Sequence, residues 1–184
     1  TSDVYFPGSN LGFKPPYSHD FSTGMNLYKV IDANKDGVTW GYSDGFTWFI
    51  TDAETDNDDW IISPPITLTA GKRYPVAFDL LASANWEYQV VEILYGKGST
   101  PEELTNKILP AYPYQVSADI DSYVTPEADG QYYFAVRVLT KKTAGAVGIT
   151  NFAIGQGYDE KAPANVDNLT VTPAAMGQKS ATIS

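Results

Sequence analysis

The chain has 184 residues, of which 43% are hydrophobic and 14% aromatic, a composition typical of a globular protein with a sizeable core. Its 22 acidic residues against 12 lysines and arginines give a formal net charge of -10, which repels nucleic-acid phosphates and anionic lipids and attracts divalent cations. The absence of cysteine excludes disulfides, zinc–thiolate sites and thiol nucleophiles.

Short strand-like segments follow one another along most of the chain, and the abundance of tyrosine and tryptophan suits half-buried sheets. Residues 1–22 are rich in Gly, Pro, Ser and Asn and are predicted to be irregular. The clearest strands are residues 73–81 (RYPVAFDLL) and 131–139 (QYYFAVRVL), in which every second side chain is apolar and faces a core. Residues 88–95 are apolar on both faces, which is typical of a central strand. These patterns predict an all-β fold.

One segment favours a helix instead. In STPEELTNKIL, Thr100 is placed to cap the helix, Pro101 suits its first position, and Glu103 completes a capping box. Leu104 and Ile108 would then lie on one helical face and cover part of a sheet. We therefore expect one short helix beside the strands.

The C-terminal part of the sequence becomes more polar and contains prolines. Residues 158–163 are predicted to be a linker, and the strand-like residues 166–172 and 180–184 would form the first hairpin of a truncated second β domain. The predicted domains are therefore residues 1–157 and 158–184. No apolar run is long enough to span a membrane, so we expect no membrane insertion.

The run DANKDG, residues 32–37, places oxygen-bearing side chains at alternate positions before a glycine. Calcium prefers such carboxylate and amide oxygens, but position 12 of an EF-hand loop would be Ser43 rather than glutamate, so this is not an EF-hand. A calcium site here needs further ligands, and the acidic run at residues 56–59 could supply them. The alternative is a metal-free turn in which Asp and Asn side chains bond to their own backbone. The predicted ligands of the calcium alternative are Asp32, Asn34, Asp36 and Asp58.

These motifs, in their order, resemble the cleaved-adhesin family, also described as MAM-like or choice-of-anchor J domains. The motifs are D-A-N-K-D-G-x-T-W, N-D-D-W-I-I-S-P-P-I-T-L, AGKRYPVAFDL and STPEELTNKIL. The resemblance covers residues 17–157 and implies a jelly-roll β-sandwich, which with the predicted helix makes an all-β jelly roll with one short helix. It also implies a bacterial extracellular or cell-surface location. The tail is similar to the start of a fibronectin type III domain.

The chain departs from the family pattern near its last predicted jelly-roll strand. Relatives usually carry a D-N or D-D pair there, whereas this chain has Thr150 and Asn151, so only the second residue matches. If the missing aspartate helps to hold an ion in relatives, the resemblance implies a weakened or absent ion site in this chain.

Catalytic motifs are missing from the sequence. His19 is the single histidine, it stands in PPYSHDF near the N-terminus, and no G-x-S-x-G or phosphate-loop motif accompanies it. Glu87 and Glu92 lie five positions apart on one predicted strand and therefore on opposite faces, which argues against a glycosidase pair. We expect no enzyme activity.

Aromatic residues are the candidates for ligand binding. Trp40 and Trp60 follow the two acidic turns, and we expect them to pack beneath those turns. Trp86 follows a turn-like run and is the first candidate to face a carbohydrate. Trp48 is the second candidate, with packing in the core as its alternative.

Tyr112 and Tyr114 form a further aromatic pair in AYPYQ, and exposed tyrosines also occur in protein interfaces.

The sequence thus predicts a non-catalytic adhesion or binding module of a secreted or surface-anchored bacterial protein. Carbohydrate is the favoured ligand, followed by a host or partner surface protein, with calcium as a structural ion. The alternative is a structural spacer or accessory domain that makes protein–protein contacts beside a catalytic domain elsewhere in the protein. An aromatic-lined groove favours binding, and buried rings favour the spacer.

Overall fold

The computed structural model describes residues 12–43, 45–51, 54–82 and 87–159, together with the backbone of residues 171–172 and 182–183. Within these ranges all regular structure is β. The strands are β1 Tyr17–His19, β2 Lys29–Asp32, β3 Gly41–Ser43, β4 Phe46–Thr51, β5 Asp59–Ile62, β6 Ile66–Leu68, β7 Lys72–Ala82, β8 Gln89–Gly96, β9 Asn106–Tyr114, β10 Ala118–Val124, β11 Gly130–Val138, β12 Gly145–Ile154, β13 Tyr158–Asp159, β14 Val171–Thr172 and β15 Thr182–Ile183. No helix in the described ranges is long and apolar enough to cross a membrane.

Two antiparallel sheets form the sandwich. The first sheet has the order β10-β7-β12-β4-β3, with β1 paired to β12 and β13 paired to β7. The second sheet has the order β2-β5-β11-β8-β9, with β6 paired to β11. Because strands that are neighbours in space are mostly distant in sequence, the pairing is that of a jelly roll rather than a meander.

The core lies between the inner faces of the two sheets. The two alternating segments bury the predicted faces, Tyr74 to Leu80 on β7 and Tyr132 to Val138 on β11, and on β11 the small Ala135 of the other face is buried as well. Phe152 joins the sheets, because its ring centroid lies 4.8 Å from that of Phe78 on the first sheet and 5.4 Å from that of Phe134 on the second. Aromatic contacts of this kind add to the free energy of burial.

The helix predicted after Thr100 is wrong. Glu103 N–H donates to the Thr100 carbonyl over 3.0 Å and the Thr100 hydroxyl donates to the Glu103 carboxylate over 2.9 Å, but this single turn does not continue. From Asn106 the chain forms strand β9, whose backbone pairs with β8. A short isolated helix is marginal because its nucleation is costly, and the sheet edge offers the same backbone groups partners. Leu104 still covers the second sheet, where it is buried.

The first sheet continues beyond residue 157, because Tyr158 pairs with Arg73 and Asp159 with Lys72. Two residues of the predicted linker therefore extend β7's ladder. Farther on, β14 and β15 pair antiparallel at the two positions predicted to be strands. The remaining residues of the predicted second domain lie outside the described ranges, and its fibronectin type III character stays a prediction.

Candidate functional site

The predicted calcium loop folds onto its own backbone. The Asp32 Oδ1 atom accepts hydrogen bonds from the backbone N–H groups of Lys35 at 2.6 Å and Asp36 at 3.3 Å, and Oδ2 accepts one from Gly37 at 2.9 Å. Lys35 and Gly37 adopt φ values of 60° and 84°, the left-handed region that such turns require. The turn alternative therefore accounts for the backbone of this loop by itself.

Asn34 and Asp36 connect this loop to the segment that precedes β5. Asn34 Nδ2 donates to Asp36 Oδ2 over 2.9 Å, and the Thr55 hydroxyl donates to the same oxygen. Asp36 Oδ1 accepts from the Val38 N–H at 2.8 Å. Burial works to raise the pKa of Asp36, but the hydrogen bonds from Thr55, Val38 and Asn34 outweigh it, so this pKa lies below its usual value.

Asp59 is the unexpected member of this region. It stands directly opposite Asp32 in the β2–β5 ladder and is 0% exposed, yet neither of its carboxylate oxygens has a hydrogen-bond partner within the described ranges. Burial raises the pKa of Asp59 to about 7; the nearby Thr39 hydroxyl works to lower this pKa, and the charges of Asp32 and Asp36 raise it further. Buried polar groups are normally paired, because an unpaired one costs about 1–3 kcal/mol.

Two further polar groups near Asp59 are also buried without a partner. The side-chain amide of Asn57 has neither its oxygen nor its nitrogen bonded, and the Thr39 hydroxyl lies beside Asp59 outside hydrogen-bond geometry. We call Asp32, Asp36, Thr39, Asn57 and Asp59 the acidic end, since they lie at one end of the sandwich.

The acidic end contains oxygen atoms of the kinds that a hard cation binds. Calcium takes six to eight oxygen ligands and accepts amide and hydroxyl oxygens besides carboxylates. In the described part of the chain, no three His, Cys, Asp or Glu side chains converge in a metal-binding arrangement. A cation at this place would need the amide of Asn57 and the hydroxyl of Thr39 as well as the carboxylate of Asp59. Asn151, which follows Thr150 at the position where the sequence departs from the cleaved-adhesin pattern, lies elsewhere, opposite Asp79 in the first sheet.

Asp58, predicted as a calcium ligand, serves a different purpose. Its Oδ1 accepts from Arg137 Nε at 2.7 Å and from Trp60 Nε1 at 2.9 Å, and its Oδ2 accepts from Arg137 Nη2 at 2.8 Å. Neighbouring residues of an extended chain point to opposite faces, so Asp59 faces the acidic end and Asp58 faces away from it. The Asp58 carboxylate is thus engaged by Arg137 and Trp60, and Asp59 is the carboxylate of this pair that faces the acidic end.

Arg137 is also joined to a second carboxylate on the outer face of the second sheet. Its Nη1 atom donates to Glu92 Oε1 over 2.7 Å, and Lys107 lies 3.0 Å from the other oxygen of Glu92. The guanidinium lies 4.8 Å from the ring of Trp60. Each carboxylate has a cationic partner, which is typical of a structural ion cluster rather than of a ligand site.

The outer face of the first sheet carries several aromatic side chains that meet solvent. On β4, Thr47, Phe49 and Thr51 are buried, while Phe46, Trp48 and Ile50 point outward. Trp48 pairs with glycines on both neighbouring strands, Gly41 on β3 and Gly148 on β12. A Cβ atom on Gly148 would come 3.0 Å from the indole ring, so the ring lies against that backbone. We call Trp48 and its two flanking glycines the Trp48 platform.

A groove of about 310 Å³ crosses the same face between β10, β7 and β12. Its lining includes Pro75, Ala77, Asp121, Tyr123, Ala153 and Gly155. Tyr123 is 50% exposed, and the guanidinium of Arg73 lies 4.1 Å from the centroid of its ring. We call this feature the Tyr123 groove. Neither Tyr123 nor Arg73 was singled out from the sequence, although Asp119, Asp121 and Tyr123 alternate in ADIDSYV as the outward residues of a strand do.

The other predicted ligand-facing residues do not join the Trp48 platform. Tyr112 and Tyr114 lie on β9 of the second sheet with ring centroids 5.2 Å apart. Tyr112 is 58% exposed, whereas Tyr114 is only 9% exposed and packs into the core, so it presents little surface to a ligand. Trp86 lies outside the described residues.

Trp40 and Trp60 are buried beside the acidic turns, as the sequence predicted. The indole N–H of Trp40 donates to the carbonyl oxygen of Asp59 over 3.3 Å, so this ring packs beneath the acidic end. Trp60 lies on the opposite face of the second sheet with the ion cluster around Arg137.

No protein-family model matches the sequence, and no curated protein matches it. Solved structures do match its fold. The K1 cleaved adhesin domain of Lys-gingipain from Porphyromonas gingivalis W83 has a TM-score of 0.62 at 17% identity and covers 77% of this chain and 98% of its own. The K3 domain of that protein has a TM-score of 0.63 at 16% identity, covering 76% and 96%.

A third similar structure is the CBM22-1 xylan-binding domain of Xyn10C from Paenibacillus barcinonensis. It has a TM-score of 0.50 at 11% identity and covers 79% of this chain and 95% of its own. At these identities the similarity concerns the fold. The described part of the chain has the jelly-roll fold of a cleaved-adhesin-like domain.

Proposed function

We propose that this chain is a non-catalytic carbohydrate-binding module of a secreted or surface-anchored bacterial protein, and that its ligand binds the outer face of the first sheet. The Trp48 platform is the observation that carries the proposal. Glycines at both cross-strand neighbours leave the indole without side chains from the adjacent strands, while Phe46 of its own strand lies at its edge with ring centroids 6.0 Å apart. The indole is half-buried with one face against Gly148. The other face of such a ring matches the C–H face of a pyranose ring, and the polar atoms of a binding site then fix its orientation.

Two other considerations support this class of function. The similar folds include domains named as adhesins and one named as xylan-binding. The net charge of -10 also disfavours nucleic acid and anionic membrane surfaces as partners. A surface or secreted bacterial location is part of the same proposal, since the Lys-gingipain neighbours are adhesin domains.

We also propose a structural calcium ion at the acidic end. The paired position of Asp32 and Asp59 and the unpartnered buried atoms of Asp59, Asn57 and Thr39 support it. When bound, calcium would supply positive charge to the carboxylates and hold the β2–β3 loop against the segment that precedes β5. Its role in this proposal is stability, since it lies away from the outer face of the first sheet.

Affinity electrophoresis tests the carbohydrate proposal. The chain and its Trp48→Ala variant are run in native gels that contain xylan, mixed-linkage β-glucan or galactomannan, with a protein-only gel as reference. We expect at least one polysaccharide to retard the wild-type chain and Trp48→Ala to remove the retardation. Tyr112→Ala is the matched control, because it removes an exposed ring from the second sheet, and it should migrate like wild type.

Retardation by none of the three polysaccharides would contradict carbohydrate binding. Release of reducing ends from a retarding polysaccharide would contradict the non-catalytic part of the proposal.

The second candidate function is an accessory domain that contacts a partner protein. The observation in its favour is the pair of exposed apolar side chains, Phe46 and Ile50, beside Trp48. Absence of retardation together with a self-associating chain in ultracentrifugation would favour that candidate.

A further inference from the structure

Two aromatic positions lie far apart on the outer face of the first sheet. Trp48 is level with Leu81 of β7, because both pair with Gly148. Tyr123 pairs with Pro75 of the same strand. The six residue steps along β7 from Pro75 to Leu81 span about 20 Å at ~3.3 Å per residue. The three strand spacings between β4 and β10 add about 14 Å across the sheet at ~4.8 Å each. A ligand that touches both rings must therefore be several sugar units long.

The Tyr123 groove is shaped as a second contact for such a ligand. Arg73 lies over the Tyr123 ring at 4.1 Å, a cation–π contact that restrains the ring. The floor is made of small residues, Ala77 and Ala153, which face each other across the β7–β12 ladder. A Cβ atom on Gly155 would come 2.5 Å from Pro75 Cγ, so a larger residue there would fill the groove. Its volume of about 310 Å³ is at the small end of ligand pockets, which span ~300–1,000 Å³.

Polar side chains occupy the surface between the two aromatic contacts. Asp79 pairs with Asp119 on one side and with Asn151 on the other, so carboxylate and amide groups form a row across three strands. Asp121 lies next along β10, opposite Ala77. These groups can accept hydrogen bonds from sugar hydroxyls. Their negative charge repels a ligand that carries carboxylate or sulfate groups. The expected ligand is therefore an uncharged polysaccharide.

We propose that the outer face of the first sheet binds an internal stretch of an uncharged polysaccharide, which contacts the Trp48 platform at one end and the Tyr123 groove at the other. The ligand class is thus a polymer chain rather than a single terminal sugar. This inference rests on the proposed carbohydrate-binding function, and it adds Tyr123 as a binding residue held in place by Arg73.

Calorimetric titration with oligosaccharides of two lengths tests this inference. The probes are xylohexaose, cellohexaose and mannohexaose, each compared with its disaccharide. For the hexasaccharide that binds, we expect an affinity at least about tenfold above that of the disaccharide. Tyr123→Ala should weaken the hexasaccharide about tenfold and leave the disaccharide unchanged, whereas Trp48→Ala should weaken both. Tyr123→Phe keeps the ring and should bind like wild type.

Two controls separate folding from binding. Tyr112→Ala should leave all affinities unchanged, and the thermal midpoint of Tyr123→Ala should stay close to that of wild type because its side chain is half exposed. A hexamer of galacturonic acid should not bind, since its carboxylates would face those of Asp79, Asp119 and Asp121.

The outcomes distinguish the inference from the function on which it rests. If the disaccharide binds as tightly as its hexasaccharide, or if Tyr123→Ala binds like wild type, the chain-spanning mode is overturned while carbohydrate binding stands. Tight binding of galacturonate hexamer would overturn the uncharged ligand class. If no hexasaccharide and no polysaccharide binds, both the inference and the proposed function are contradicted.

Discussion

Asp32 and Asp59 occupy directly opposite positions of the β2–β5 ladder, which brings two carboxylates together at the acidic end. Like charges placed opposite each other destabilise a sheet, and here one of the two carboxylates is also fully buried. The backbone turn satisfies Asp32 but leaves Asp59 unpaired. Asp59 is therefore a better candidate for a calcium ligand than the turn residues, because its oxygens have no hydrogen-bond partner.

Calcium is expected to stabilise the chain through Asp59. An ion that binds only the folded state at one hundred times its Kd adds about 2.7 kcal/mol to the free energy of unfolding. For a chain of this size, each kcal/mol raises the thermal midpoint by about 2–4 °C. We expect the midpoint at pH 7.5 to rise with calcium concentration relative to a chelator, and Asp59→Asn to remove the rise.

The matched control for this prediction is Asp58→Asn, which removes the neighbouring carboxylate on the other face of the chain. This variant should lose stability but keep its response to calcium. A midpoint that is the same with calcium and with chelator in the wild-type chain would mean that the loop is a self-bonded turn. Asp59→Asn should then stabilise the chain at pH 7.5, because a buried carboxylate without a partner is removed.

The two glycines that flank Trp48 are expected to differ in their tolerance of side chains. A Cβ at Gly148 would lie 3.0 Å from the indole and 3.2 Å from the Thr47 carbonyl oxygen, whereas a Cβ at Gly41 meets nothing within 4 Å. Gly148→Val should therefore displace the ring and cost about 1–3 kcal/mol in the free energy of unfolding. Urea unfolding and retardation by the binding polysaccharide are the two measurements.

Gly41→Val serves as the control, since it places the same side chain on the other strand next to Trp48. It should unfold at the same urea concentration as wild type or a higher one, because valine suits a strand better than glycine does. Equal loss of stability in the two variants would contradict the placement of the indole against Gly148.

The ion cluster on the second sheet is expected to contribute to stability through Arg137. Arg137→Met removes the cationic partner of Asp58, which keeps only the Trp60 indole N–H, and one of the two partners of the buried Glu92. Breaking a buried ion pair costs about 3–5 kcal/mol, and we expect less than this because Arg137 and Asp58 are partly exposed and Lys107 stays with Glu92. Lys141→Met, which breaks an exposed pair with Asp56, should cost less than about 1 kcal/mol in urea unfolding.

The ion cluster around Arg137 should make the free energy of unfolding depend on pH in the acidic range. Burial works to raise the pKa of Asp58 and Glu92, but the bonds and charge of Arg137 outweigh it and hold both pKa values below their ordinary range. A carboxyl group whose pKa is lowered on folding stabilises the fold at any pH above its ordinary pKa of about 4. This stabilisation is lost as the pH falls through the lower, folded-state pKa. The difference between wild type and Arg137→Met should therefore shrink between pH 7 and pH 3. A constant difference would contradict ionised partners for Arg137.

His19 is expected to weaken the fold below neutral pH. Its ring packs 4.7 Å from Phe21 and 5.2 Å from Tyr28, and its Nδ1 atom is buried without a partner. Burial lowers the pKa of His19, and the charge of Asp20 offsets this only in part. The folded state thus binds fewer protons than the unfolded state, so stability is present above about pH 6.5 and is lost as the pH falls through the folded-state pKa.

Comparison of His19→Phe with wild type at pH 7.5 and pH 5.5 isolates this effect, because other titrating groups contribute equally to both. The phenylalanine variant should lose less stability on acidification than wild type, as measured by urea unfolding in the presence of chelator. Tyr28→Phe, which alters the same aromatic cluster without removing the imidazole, should keep the wild-type slope. Identical slopes for wild type and His19→Phe would show that His19 stays solvated in the folded chain.

The local errors of the sequence analysis have identifiable causes. The segment after Thr100 carries a complete capping box, yet Asn106 onward forms an edge strand, because pairing with β8 outweighs the weak propensity of a short helix. The acidic run before Trp60 contains several carboxylates, and its composition alone does not reveal that Asp58 and Asp59 point to opposite faces.

The sequence by itself determined what local periodicity and composition can determine. Alternation in β7 and β11 identified the buried face of each strand, since side chains of a strand alternate whatever its partners. Pairing and register were decided only by the tertiary structure. Trp48 and Tyr123 share an open face because β4, β12, β7 and β10 lie side by side, and Asp59 meets Asp32 because β5 pairs with β2. Both relationships join residues distant in the chain, and packing of the whole sandwich selects them among many pairings with the same local patterns.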